Sequence, residues 1–189
     1  MLWRCRIFGF HVPNFTGVQV IHAEWCRRVC DVVNQYPTKP FQTDEGIGFG
    51  WTTKPPKNKV KEYWKGVLLV PNRWLFIGKY KGLISGSIQV VTFSSANEAA
   101  LFRVFIDTHF VATWARGHGL AKLLIESAEK ECKKNNYTYV ILDVRETQTR
   151  AINLYKQLGY DLWGKLPAYH KLADGKMVSG NFYYKKLEK

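Results

Sequence analysis

The stretch that most restricts this chain is Val111-Ala-Thr-Trp-Ala-Arg-Gly-His-Gly-Leu-Ala-Lys122. A largely apolar, extended run from Ala100 to Val111 leads into it. Leu120, Leu124, Ala128 and Cys132 then recur at helical spacing. The chain must therefore pass from a strand through a tight turn with two glycines into the first turn of a helix. Gly117 and Gly119 permit positive φ and a close approach to the backbone. The N–H groups of Gly117, His118, Gly119, Leu120 and Ala121 then converge at the positive end of a helix dipole, where an anion is favoured. Arg116 adds a fixed cation beside them. The arrangement predicts a pyrophosphate cradle.

Two familiar phosphate loops fit it poorly. No Gly-Lys-Ser/Thr follows the glycines, which excludes a Walker A loop. A dinucleotide fingerprint would use Gly117, Gly119 and Asp143 near the end of the next strand, but its third small position is Lys122. The spacing Arg116-x-x-Gly119-x-Ala121 instead resembles motif A of the GNAT superfamily of acyl-CoA-dependent N-acetyltransferases. Downstream, Ala151-Ile-Asn-Leu-Tyr-Lys-Gln-Leu-Gly-Tyr160 resembles the second signature of that superfamily, a helix following an apolar strand. The tail Gly164–Tyr169, Asp174-Gly175 and Phe182–Leu187 is similar to the tabtoxin-resistance type. The likeness covers residues 100–189 well and residues 1–99 only in their order of elements.

The resemblance implies an α/β (α+β) fold. Its sheet is mixed, mostly antiparallel and of about seven strands, with about four flanking helices. It splays between strands 4 and 5, which here are the strand ending at Val111 and the one starting near Tyr137. The slot takes the pantetheine arm of acetyl-CoA, the expected cosubstrate, against backbone groups of Phe110 and Val111. The implied reaction is direct transfer of the acetyl group to a primary amine, with Tyr155 protonating the departing thiolate. Gln148 stands where the family often has an asparagine and is expected to reach the cofactor. Phe105 occupies a common glutamate position, so Asp107 or His109, expected on the same strand face as Phe105, are the candidates for general base.

The remaining chain reads as ordinary secondary structure. Strands are expected over 2–10, 74–79, 83–93, 137–144, 160–166 and 181–187, besides the one ending at Val111. Helices are expected over 16–33, 59–69, 120–134 and 149–158, with a long irregular segment over 37–50. Tyr137 to Val144 is so continuously apolar that it predicts a strand covered on both faces.

The whole of 1–189 is expected to form one domain. No apolar run reaches transmembrane length and no secretion signal is visible, so a cytoplasmic setting without membrane contact is expected, as monomer or homodimer. Cys5, Cys26, Cys30 and Cys132 show no zinc spacing and read as structural. The net charge of +13 would attract polyanions, coenzyme A among them. Residues 54–81 interleave lysines and arginine with Trp64, Trp74 and Tyr80, which a nucleic-acid surface also requires. A basic RNA- or ribosome-associated protein on the same scaffold is therefore the alternative, with a solvated basic face the preferred account of that region.

Overall fold

The computed structural model describes residues 15–21, 51–53 and 55–188. Seven strands form one sheet: β1 (Phe15–Ile21), β2 (Arg73–Tyr80), β3 (Leu83–Val91), β4 (Arg103–Val111), β5 (Tyr139–Arg145), β6 (Asp161–Lys171) and β7 (Met177–Lys186). Their order is β1-β2-β3-β4-β5-β7-β6. Only β4 and β5 run parallel. Three α-helices are described: α1 (Lys57–Leu69), α2 (Leu120–Lys134) and α3 (Thr149–Gln157).

The helices divide between the two sheet faces because strand side chains alternate. On one face Trp64, Val67 and Leu68 of α1 pack on Leu75, Ile77 and Ile84. On the other, Leu120, Leu124, Ile125 and Ala128 of α2 pack on Phe76, Ile88, Val104, Ile106, Val140 and Leu142. α3 completes this second face with the buried ring of Tyr155. β2 and β3 are consequently buried along most of their length.

Several expectations are corrected. The helix expected from residue 16 is a strand over Phe15–Ile21, paired antiparallel with β2 through Val18↔Gly78 and Val20↔Phe76. The run is rich in β-branched residues, and an available sheet edge overrides its incidental helical spacing. The remainder of that expected helix, the strand over 2–10 and the segment over 37–50 lie outside the described residues, as do Cys5, Cys26 and Cys30. β5 is fully covered on one face only: Val140, Leu142 and Val144 are buried, whereas Tyr139, Ile141 and Asp143 on the other face are only partly covered. β6 and β7 are longer than their hydrophobic pattern suggests and meet across the turn at Gly175, whose φ is +88°.

The β4–β5 pairing is short. Arg103 to Ile106 pair with Tyr139 to Leu142, and the two strands then part. Asp107–Val111 and Asp143–Arg145 flank the resulting gap, the expected splay. β4 also carries a bulge that the sequence pattern did not reveal. Ser87 pairs with Phe110 and Gln89 with Asp107, so Thr108 and His109 oppose Ile88 alone. Thr108 has φ +46°, a left-handed conformation that a β-branched residue seldom adopts.

Candidate active site

The bulge decides which way the strand's chemistry points. Simple alternation would put Phe105, Asp107 and His109 on one face, and this expectation fails. The extra residue flips the parity, so His109 joins the α2–α3 face, where its Nδ1 lies 3.2 Å from the Tyr155 hydroxyl. Asp107 stays on the α1 face, 2.8 Å from Arg73 Nη1. The same guanidinium nitrogen donates to Gln89, which in turn donates to the Tyr63 hydroxyl at 3.0 Å. Tyr63 lies 3.5 Å from the Thr108 hydroxyl, so a polar chain from α1 reaches the bulge itself.

Burial sets the protonation of the His109–Tyr155 pair. It pushes His109 down to about 4, against a smaller opposing effect of the Ala121 backbone. It pushes the Tyr155 hydroxyl well above the ordinary phenol range, with the Asp143 charge adding to the shift. At neutral pH the imidazole is uncharged and the phenol keeps its proton.

On the α1 face Asp143 of β5 stands opposite Asp107 at the mouth of the gap, one step past the last β4–β5 pair. Its carboxylate lies 3.3 Å from His170 Nε2 on β6. Burial raises Asp143, with His170 opposing and Asp107 reinforcing. Burial also lowers His170, so that imidazole is neutral at neutral pH. Neither member of this pair was assigned to the acetyl-transfer site from sequence; Asp143 entered only as the acid of the rejected dinucleotide fingerprint. The available signal was the single acid within the apolar run Tyr137–Val144; His170 carried none.

The turn at Gly117–Ala121 has the backbone geometry expected of it. Gly117 and Gly119 have φ of +80° and +79°, and α2 starts at Leu120 without a side-chain cap. The first-turn N–H groups are thus left to solvent or a ligand. A Cβ on either glycine would meet nothing within 4 Å, so the cradle is open. Arg116 bends back, its Nε donating to the Val111 carbonyl at 3.1 Å. Ala112 N–H donates to Ser85 O at 2.7 Å. Strand amides alternate, so the N–H of Val111 points away from β3 into the gap, while the backbone of Phe110 turns toward Ser87. The Phe110 backbone, expected in the gap, thus faces β3, and its side chain packs against the hydrophobic cluster on the α1 face. Gln148 sits at the start of α3, its carbonyl accepting from Ile152 N–H at 3.0 Å.

A cavity of about 1220 Å³ joins these features, lined by Arg116, Gly119, Val111, Tyr155, Gln148 and Asp143 among others. A wedge between diverging strands, ending at an uncapped helix, suits a long ligand with an anionic end. Residues 32–160 match the model of the acetyltransferase (GNAT) family. The chain belongs to that family.

Among relatives, the chain is 47% identical over 105 residues to an uncharacterised N-acetyltransferase from the hisH–hisA intergenic region of Azospirillum brasilense. The match covers 56% of this chain and 62% of that protein. A second, an uncharacterised N-acetyltransferase of Dictyostelium discoideum, is 38% identical over 58 residues, 31% of this chain and 24% of the relative. The chain thus spans less than two thirds of either relative. The GNAT fold extends to a phosphinothricin acetyltransferase of Sinorhizobium meliloti solved with acetyl-CoA, at TM-score 0.67 and 18% identity. That superposition covers 92% of this chain and 89% of the other. Among the described residues no helix is long and apolar enough to cross a membrane, and no group of three His, Cys, Asp or Glu could hold a metal ion.

Proposed function

We propose that this chain is an acetyl-CoA-dependent N-acetyltransferase that acts by direct transfer to a primary amine. The observation that carries the reading is the gap between β4 and β5. It opens on the phenol of Tyr155 from one face and on the Asp143–His170 pair from the other, and it runs to the open cradle at Gly117–Ala121.

Acetyl-CoA supplies an acyl thioester. The cradle N–H groups, Arg116 and Lys122 hold its pyrophosphate, and Gln148 stands at the side of the slot. The Val111 N–H is set where negative charge develops on the thioester oxygen, a placement that lowers a barrier by a few kcal/mol. Tyr155 keeps its proton in a dry site and offers it to the sulfur as the C–S bond breaks. The Asp143–His170 pair accepts the proton that the amine must lose. His109 faces Tyr155 rather than the α1 side, and the Asp107 carboxylate is engaged by Arg73. His109 and Asp107 therefore act as partners of other groups.

The amine enters from the α1 side, between Tyr63, Asp107 and His170. Within the family, the resemblance of residues 164–187 to the tabtoxin-resistance type supports a small-molecule acceptor. One continuous sheet from residue 15 to residue 186 supports a single domain. The test is release of free thiol from acetyl-CoA across a panel of small amines, amino acids and peptides. We expect turnover with a small amine; acetyl-CoA left intact with every amine would sink the reading.

A further inference from the structure

The loop that bears the cradle has little packing of its own. His118 lies between two left-handed glycines, and a Cβ on either would meet nothing within 4 Å. Glycine loses more conformational freedom on ordering than any other residue. A ligand that requires one shape of this loop bears that cost unless the loop is already held.

Contacts hold it upstream, downstream and in the middle. Upstream is the bond from Arg116 to the Val111 carbonyl. Downstream, Leu120 lies directly on Gly78, where a Cβ would come within 2.6 Å of its Cδ1. Gly78 is paired with Gly86 of β3, and a Cβ there would lie 3.2 Å from Leu124 Cδ1. The paired glycines form a flat place on the sheet that receives the first turn of α2. In the middle, the His118 ring stacks on Tyr80 with centroids 4.6 Å apart and planes at 17°. Tyr80 is a firm support: it is buried with Ala112 and Ala115, and its N–H donates to Ser85 Oγ at 3.2 Å.

We infer that Tyr80 and His118 form an aromatic latch that pre-shapes the cradle, so that the His118 side chain sets acyl-CoA affinity while the backbone around it meets the phosphates. The inference rests on the acetyl-transfer reading. His118 is then a positioning residue. Its side chain is exposed, so its removal leaves no cavity in the core.

The test compares wild type, His118→Ala and His118→Phe by calorimetric titration with acetyl-CoA and by steady-state kinetics. His118→Ala is expected to raise Kd and KM for acetyl-CoA together, by about 2- to 10-fold, the range of a stacked aromatic pair. Its kcat at saturating acetyl-CoA and its ligand-free melting temperature should hold, and His118→Phe should restore affinity. Equal Kd in all three proteins overturns the latch and leaves acetyl transfer standing. So does a loss that Phe fails to restore, which would assign the effect to the polar atoms of the imidazole. A wild type that binds no acetyl-CoA overturns both readings.

Discussion

Tyr155 and His109 face each other across 3.2 Å, and the same burial moves them in opposite directions. Removing the phenol should expose its role directly. Tyr155→Phe keeps the ring among Tyr160 and Tyr183 and should lower kcat by about 10- to 1000-fold, within the range of general acid catalysis. An unchanged rate at every pH would take Tyr155 out of the mechanism. Asp143→Asn should behave differently. Activity needs the Asp143–His170 pair free to take a proton, so wild-type kcat/KM falls as pH drops into the range where Asp143 protonates. That range lies above the ordinary carboxylate value because burial raises Asp143. The variant should lose about 100-fold at neutral pH. It should recover as pH rises toward the amine's own pKa, where water alone suffices; a pH-independent deficit would remove Asp143 as proton acceptor. His109 makes a prediction about stability. An unfolded histidine takes up a proton near 6.5, while folded His109 does so only near 4. Between those values the unfolded state binds more protons, so stability is lost as pH falls through the window, by on the order of 3 kcal/mol in full. The melting temperature of His109→Gln should therefore gain on wild type as pH is lowered from about 7 to about 4. A constant difference would show that His109 takes up its proton in the fold as readily as in the unfolded chain.

At the scale of elements, the first turn of α2 and the bulge of β4 place everything that matters. Gly86 lies under both: a Cβ there would sit 2.8 Å from the Phe110 carbonyl, a backbone atom with no rotamer to yield. Gly86→Ala should destabilise the fold by about 1–3 kcal/mol, as overpacked sites do, read as a lower melting temperature. No change would mean that β4 shifts freely at the bulge. The helix–strand junction at Arg116–Ala121 was legible because its demands are local: two glycines, a cation and a helical period. Tyr155 was singled out through the likeness of Ala151–Tyr160 to the second family signature, and the structure buries it beside His109. The bulge was not legible, since a two-against-one pairing is a property of β3 and β4 together. Without it, strand alternation put His109 beside Asp107. Asp143 and His170 were missed because their strands meet only through β7. The helix expected from residue 16 shows the same limit, for it was the partner strand β2 that decided Phe15–Ile21.

For the whole molecule, the charge of +13 poses the choice between cofactor and nucleic acid. Thermal shifts at two salt concentrations separate them. Acetyl-CoA at about 100 times its Kd should add about 2.7 kcal/mol, with modest loss at higher salt because backbone donors and the wedge carry much of the binding. An RNA shift that vanishes with salt, in place of an acetyl-CoA shift, would favour the basic surface over residues 54–81 and overturn the enzyme. The short seam between Arg103–Ile106 and Tyr139–Leu142 has its own consequence. It makes the sheet two antiparallel ribbons, β1 to β4 and β5 to β6, stitched by a few parallel rungs and spanned beneath by α2. The amides of these rungs should breathe together, reporting by slowed deuterium uptake whenever a guest fills the wedge that opens at Ile106 and Leu142.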